Sequence, residues 1–529
     1  MLGRRGVVTA ADAERFLEPK VEHLHDPHEM AGLPEAVQAL LDAKARGDKV
    51  AIVGDYDVDG VSGTALLAAT LRACKLDVLT IVPHRMTDGY GLQPSHVERA
   101  VAEGCSLLVT VDCGTTAVAP VSLALESSLR VVVTDHHLPD GPLPAGTILV
   151  NPKQEGCRYP CDELSGAGLA LKLALAFAEA AGRPIDPLLL LRVACLGTIA
   201  DLVPLLGENR TIASIGLREL EVTRSPGLRA LIDVARVKRP FTGDDVGFRL
   251  GPRLNAPGRL DSADKALELL LCRDLGRAKE LAADLDAANR ERQSWERQAS
   301  SGAQKLFEET DPLPSILVAS NPEWHRGVVG IAAGRIARRF ARPTLLLAED
   351  GDSATGSGRS IEGIHLHAFL DRWRDRLEKF GGHAQAVGLT VAKAELPELL
   401  AEWRAAAATE WAGKVGVRRY EYEIEMRAAA LHRGTVANLE ALGPFGQKNR
   451  RPLLRVPGPL RLTAPPRHFG QDHIEAQLVD GERGRIRVVG WGWRDRASDL
   501  EGSVELLGHL EYDTYRGQTV LRLIDCRPA

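Results

Sequence analysis

Ala51-Ile-Val-Gly-Asp-Tyr-Asp-Val-Asp-Gly60 is an apolar run that ends in three alternating carboxylates. Ala51 to Val53 read as the end of a buried parallel strand, and Gly60 with Gly63 open the next helix. Strand alternation sends Asp55, Asp57 and Asp59 to one side as the chain begins to turn. Three like charges that close repel one another unless a cation neutralises them or the turn splays them into water. A hard divalent ion such as Mg2+ or Mn2+ takes oxygen ligands of this kind. Read alone, the stretch fits an acidic turn equally well. The later strands decide.

Outward from it, the runs DVLTIVPH, CSLLVTVDCG, RVVVTDHH and TILVNP alternate with helical stretches up to about residue 205. This rhythm predicts a parallel sheet with crossover helices, whose chemistry gathers at the carboxyl ends of the strands. Asp112 follows SLLVTV, RVVVT leads into Asp135-His136-His137, and Asp201 ends LGTIAD just before Val203-Pro204. Turns favour Asp, and His137 alone is as well read as a structural imidazole. Asp57, Asp59, Asp112, His136 and Asp201, all at element ends of one α/β unit, together point to a metal centre.

With 529 residues the chain is long enough for two to four domains, and 44% hydrophobic with 26% charged residues is a globular composition. A formal net charge of -5 gives no global case for a polyanionic partner, so any nucleic-acid site is a local patch. The N-terminal MLGRRGVVTAADAERF lacks an apolar core of signal-peptide length, and Arg192 and Asp201 interrupt the most apolar segment, so no membrane association is expected. Eight scattered cysteines fit reduced thiols and a cytoplasmic location. Cys157 and Cys161 lack a second Cys/His pair and read as a loop with two free thiols. His23, His25 and His28 read as a solvated lead-in.

Residues 1–45 form that lead-in, 46–261 the α/β domain, and 262–312 a charged helix bridging two domains across solvent. A second α/β domain spans 313–417, with the strand SILVAS, the helix GIAAGRIARRF, the strand PTLLLAED and a glycine turn at GGHAQAVGLTV. From 418 to 529, short β runs between Gly, Pro and Asp turns suit an all-β barrel of the OB type. Residues 445–470 hold Lys448, Arg450, Arg451, Arg455, Arg461 and Arg467 with no acid, and Phe445, His468 and Phe469 lie among them. A cationic groove with aromatic platforms holds single strands; a solvated basic face over core phenylalanines is the plainer alternative. With no coiled-coil heptads, a monomer is expected.

GDYDVDG, TVDCG, TDHH and LGTIADLVPL resemble, in order and spacing, the four motifs of the DHH phosphoesterases. GFRLGPRLNAPGRL, WHRGVVGIAAGRI, GSGRS and GGHAQAVGL resemble the RecJ branch, the single-strand-specific 5′→3′ DNA exonucleases. The resemblance runs from about residue 50 through the C-terminal β region. It implies a catalytic DHH domain, a bridging helix, a DHHA1 domain and an OB-fold. It further implies two Mn2+ or Mg2+ ions on Asp57, Asp59, Asp112, His136 and Asp201, with His137 as the catalytic imidazole and Asp55 as a supporting carboxylate. Some relatives carry a histidine where this chain has Val53, which leaves one ion fewer ligands.

Arg85, Ser357 and Arg359 are implied to hold the 5′ phosphate. Asn255, Arg259, His325 and Arg335 are implied contacts to the DNA backbone or the domain interface. Gly381-Gly382-His383 reads as a turn that approaches the nucleic acid or one that simply joins two strands. Mismatch, recombination and excision repair are the implied settings, with single-stranded DNA, a helicase and a single-strand-binding protein as partners. Two rivals remain: an oligonucleotide or cyclic-dinucleotide phosphodiesterase of the same superfamily, and a catalytically inactive single-strand-binding scaffold.

Overall fold

The computed structural model describes every residue except 85–87, 90, 140, 261 and 482–483, together with the side chains of 259 and 260. The chain divides into two compact units: residues 1–255, 263–282 and 421–529 in the first, 256–262 and 283–420 in the second.

In the first unit, β1 (Lys49–Gly54), β2 (Asp77–Ile81), β3 (Cys105–Val111), β4 (Arg130–Thr134) and β5 (Ile148–Val150) form a parallel sheet of order β2-β1-β3-β4-β5. Helices cover the sheet, so the strands are nearly continuous apolar runs, Val50 to Val53 among them. The register pairs Gly54 with Val111, Val111 with Thr134, and Thr134 with Val150. One step further, Asp55 N–H donates to Val111 O, Asp112 N–H to Thr134 O and Asp135 N–H to Val150 O. Strands β1, β3 and β4 therefore end in a single row of aspartates. This order reverses direction between β1 and β3, where open α/β sheets place their ligands.

The first 46 residues are not a solvated lead-in. Met30, Leu33, Leu40 and Ala43 are fully buried, the last three on the helix Leu33–Arg46. The His25 ring lies edge-on to Tyr159, and its backbone N–H donates to buried Glu208.

The same unit holds the barrel: β11 (Ile424–Glu425), β12 (Leu454–Leu462), β13 (Arg467–Phe469), β14 (His473–Val479), β15 (Arg485–Gly490), β16 (Val504–Asp513) and β17 (Gln518–Pro528). Their order is β11-β12-β16-β17-β15-β14-β13, and a further β12–β14 pairing closes the sheet. Alternate residues such as Ile474, Ala476 and Leu478 fill the interior.

The second unit is a mixed sheet of β6 (Leu317–Asn321), β7 (Thr344–Asp350), β8 (Ser353–Arg359), β9 (Lys379–His383) and β10 (Ala386–Ala392), ordered β6-β7-β8-β10-β9. One sequence expectation is refined here and one fails. The 262–312 stretch is two helices, Asp264–Leu271 and Leu275–Glu308. The longer one does not merely cross solvent, because Ala299, Ala303 and Phe307 join the apolar cluster of Leu317, Trp324 and Val329. Residues Gly381-Gly382-His383 are not a turn but part of β9, paired antiparallel with β10. Gly382 has φ 134, and a Cβ there would lie 2.3 Å from Ala386 O, so the hairpin itself demands glycine.

Candidate active site

Asp55 continues β1. Asp57 caps the helix Val58–Ala73, accepting hydrogen bonds from Asp59 and Gly60 N–H at 2.8 and 3.1 Å. Asp59 therefore lies in a helical first turn, not on an alternating strand. It is fully buried and accepts 2.6 and 2.9 Å hydrogen bonds from the N–H groups of Gly166 and Ala167, at the start of the helix Gly166–Ala180. A helix N-terminus favours a carboxylate there. Asp112 adopts φ 63, a left-handed conformation that Asp tolerates better than most residues. Asp201 caps the C-terminal end of the helix Pro187–Ala200, where the helix dipole repels a negative charge.

The ligand atoms of Asp55, Asp57 and Asp112 lie within 4.8 Å of one another, as do those of Asp59, His136 and Asp201, and of Asp112, His136 and His137. All seven proposed ligand and catalytic side chains are brought together. Val53 is not among them; it lies in the apolar cluster of Ile81, Leu92 and Val97.

Burial, then the charge of Asp57, pushes the Asp59 carboxyl up to about 7. Burial and then Asp59 push Asp201 up to about 8, and the same two causes hold Asp112 well above the usual carboxylate range. Burial, followed by neighbouring His137, drops His136 to about 4, so its imidazole is neutral at pH 7. His136 Nε2 faces Asp112 Oδ1 at 3.1 Å, Asp201 Oδ2 at 3.6 Å and Asp59 Oδ2 at 4.0 Å. Neither Nε2 nor Asp112 Oδ1 has a hydrogen-bond partner among the described residues. Oxygen and nitrogen ligand atoms crowd together with no fixed donor from another residue paired to His136 Nε2 or Asp112 Oδ1. That donor set fits hard or borderline divalent cations.

Asp135 was passed over as a site residue in its own right, and the structure gives it a clear task. Its Oδ1 takes the His137 Nδ1 at 2.7 Å and both the His136 and His137 N–H groups, while Oδ2 accepts from Thr115 N–H. Burial opposes ionisation of Asp135, but these bonds and the His137 charge outweigh it and hold the carboxyl at about 2. Burial likewise opposes protonation of His137, yet the Asp135 hydrogen bond wins and raises its pKa. Asp135→Asn is expected to lower turnover about 10- to 100-fold with Mn2+ affinity changed less than the rate, checked by single-turnover kinetics beside a metal titration.

The close approaches that three glycines permit at the site were also missed. A Cβ at Gly197 would stand 2.2 Å from Asp59 Oδ1, one at Gly166 2.4 Å from Asp112 Cβ, and one at Gly60 2.5 Å from Asp55 N. Gly60, already read as a helix opener, meets a residue only five positions away, and Gly166 carried a local signal in the Ser165-Gly-Ala-Gly helix start, whereas the contacts of Gly166 and Gly197 with Asp112 and Asp59 span the sequence.

The remaining candidates fare differently. Arg85 and the Arg259 side chain lie outside the described residues. Asn255 is half-buried in the helix Gly251–Leu260. Ser357 and Arg359 lie on β8, close beside Gly330 near the start of the helix Val329–Phe340. Burial lowers the Arg359 pKa, and no carboxylate pairs with it among the described residues. His325 stacks on Trp295 with ring centroids 4.1 Å apart, and Arg335 pairs with buried Glu296 at 2.7 Å.

Half of the basic side chains in the acid-free run at 445–470 meet acids from elsewhere in the chain. Arg451 pairs with Glu440 and lies over Phe445, Arg455 bridges Glu425 and Glu505, and Arg467 pairs with Glu475. Lys448, Arg450 and Arg461 remain exposed without an acidic partner among the described residues. The aromatic platform is also displaced: Phe469 packs edge-on to His473 and Trp491, and Trp491 is 57% exposed. Beside it, Arg467, Arg487 and Arg516 help line a cavity of about 210 Å3.

A parallel sheet whose strand ends hold clustered carboxylates and imidazoles defines a metal-site α/β protein. The DHH family N-terminal domain matches residues 49–198, the DHHA1 domain residues 313–409 and the RecJ OB domain residues 422–524. The chain is 36% identical over 560 residues to the single-stranded-DNA-specific exonuclease RecJ of Salmonella typhimurium, covering 98% of this chain and 93% of that protein. The crystal structure of RecJ in complex with Mn2+ from Thermus thermophilus matches 100% of this chain and 75% of its own, with TM-score 0.84 and 32% identity. The corresponding complex with Mg2+ matches at TM-score 0.78 and 30% identity, over 100% of this chain and 74% of that one. This chain belongs to the RecJ family. Among the described residues, no helix is long and apolar enough to cross a membrane.

Proposed function

We propose that this chain is a Mn2+- or Mg2+-dependent exonuclease that degrades single-stranded DNA from the 5′ end to 5′-mononucleotides, in DNA repair and recombination. The convergence of Asp57, Asp59, Asp112, His136 and Asp201 around shared lone pairs supports this reading above all else. Two divalent ions held there would neutralise charge at the scissile phosphate and acidify the attacking water. Asp55 reinforces the negative field, and Asp135 holds His137 so that its protonated ring can face charge developing on the phosphoryl oxygens.

Digesting 5′-labelled and 3′-labelled single strands with Mn2+, then with EDTA, tests the whole reading. Early release of the 5′ label as a mononucleotide, abolished by EDTA, is expected. First release of the 3′ label, or digestion that survives EDTA, would overturn it.

Substrate selection falls to other groups. The half-buried, acid-free Arg359 fork beside Ser357 suits a terminal phosphate. Arg359→Lys is expected to raise KM for 5′-phosphorylated strands about tenfold while sparing 5′-hydroxyl strands, because an ammonium cannot reproduce the fork. On the barrel, Trp491→Ala is expected to weaken single-strand binding about 5- to 150-fold by fluorescence anisotropy, the range for losing one stacked base. Charge reversal at Arg455 would break a structural ion pair, so Lys448 and Arg450 are the cleaner positions for a salt-dependence test.

The cyclic-dinucleotide reading gives the barrel no work, and the scaffold reading leaves the clustered acids without a purpose. We further propose a monomer acting in the cytoplasm, with a helicase and a single-strand-binding protein as partners.

A further inference from the structure

Shortly beyond Asp201, the chain is fastened to the barrel. Leu205 N–H donates to Gln447 O at 2.9 Å. Arg210, buried in the first turn of the helix Gly207–Glu221, donates to Phe16 O at 2.7 Å, Leu442 O at 2.9 Å and Gly443 O at 2.5 Å. Its guanidinium lies 3.6 Å over the Phe16 ring. Burying a guanidinium is costly unless such hydrogen bonds are made, so losing any of these carbonyl contacts would be felt at this junction.

From the barrel side, the loop 442–449 is locked by Asn449, which is fully buried. Its amide donates to Leu442 O at 2.9 Å and Pro444 O at 2.8 Å, and its Oδ1 accepts from Arg5 Nε at 2.6 Å. Arg5 in turn forks onto Glu423. The fit is close: a Cβ at Gly446 would lie 2.6 Å from Leu205 Cδ1, and one at Gly243 2.7 Å from Phe445 O. Asp201 itself is the least buried of the carboxylates around His136, and Leu202 beside it takes φ 62. The barrel thus anchors the chain within a few residues of the helix end that bears Asp201.

We propose that the barrel loop 442–449 is a positioning element for the divalent-metal site, with Asn449 and Arg210 fixing the segment that carries Asp201. Lys448 and Arg450 lie on or beside the same loop and face solvent. The inference rests on the metal-site reading above.

Mn2+ titration of the full-length protein, followed by electron paramagnetic resonance without DNA, tests it. Asn449→Ala and Arg210→Lys are each expected to weaken Mn2+ binding at least about fivefold, the lower bound for a coupled site. In an Asp201→Ala background neither substitution should weaken Mn2+ further, because the pair then shares one route to the metal. Activity of the single variants should return at high Mn2+, which a merely unfolded protein would not do.

A folded Arg210→Lys protein with parental Mn2+ affinity overturns the proposal, as does full additivity with Asp201→Ala. Those outcomes are distinct from failure of the functional reading. That failure would appear in the parent protein, as no Mn2+ binding or no digestion of single strands.

Discussion

Asp112→Asn protein is expected to digest single strands at least about 1,000-fold more slowly than the parent, yet to unfold at a higher temperature in EDTA. Asparagine is the right replacement, because Asp112 sits at φ 63, where Asn is tolerated and alanine would add strain. The isosteric amide keeps the shape and removes the charge. A bound ion supplies several kcal/mol of transition-state stabilisation, and about 4 kcal/mol corresponds to roughly 1,000-fold in rate. Stability moves the other way because Asp112 is buried among Asp59, Asp57, Asp201 and Asp55, whose charges oppose its ionisation. Single-turnover digestion and a thermal melt of the same preparation check both halves. Parental turnover, or a lower Tm in EDTA, would contradict the assignment.

The second large effect concerns pH. Asp59 and Asp201 have folded-state values of about 7 and about 8, above the ordinary carboxylate value of 3.8. Below 3.8 both the folded and unfolded chains are protonated at these groups. As pH rises, the unfolded chain releases its protons first, so the folded state is progressively disfavoured until about pH 8. For Asp59 alone, three units at about 1.4 kcal/mol each give roughly 4 kcal/mol. In EDTA the Tm is therefore expected to fall by on the order of 10 °C between pH 5 and pH 8. Mn2+ should reverse that fall, and increasingly so at higher pH, because the ion binds the deprotonated site. Calorimetry across this range decides it; a flat metal-free profile would show that burial and the neighbouring charges do not raise these carboxyls.

Much of the site was legible because strand ends and helix caps have local signatures. An apolar run stopping at an acid marks the top of a parallel strand, and DVDG or DHH marks a chain turning where ligands gather. What those signatures meant for direction was less legible. Asp57 and Asp59 face the site through a helix N-cap and a helical first turn rather than through strand alternation. The 445–470 run misled for the opposite reason. Neighbours in sequence look uniformly basic, but strand pairing sets Arg467 opposite Glu475 and brings Glu505 of the adjacent strand within ion-pair reach of Arg455. Likewise the aromatic surface of the barrel is completed by Trp491, outside the run altogether.

By itself, the sequence determined which residues end strands, where the sheet domains give way to a barrel, and which side chains are chemically able to hold a divalent ion. These are consequences of local periodicity and turn chemistry, written within a few residues. Only the tertiary structure decided that β1, β3 and β4 stop in one row, that Gly197 and Gly166 let carboxylates approach bare backbone, and that a barrel loop fastens the segment beyond Asp201. Register, close packing and charge pairing depend on which distant segments meet, and no local spacing carries that information.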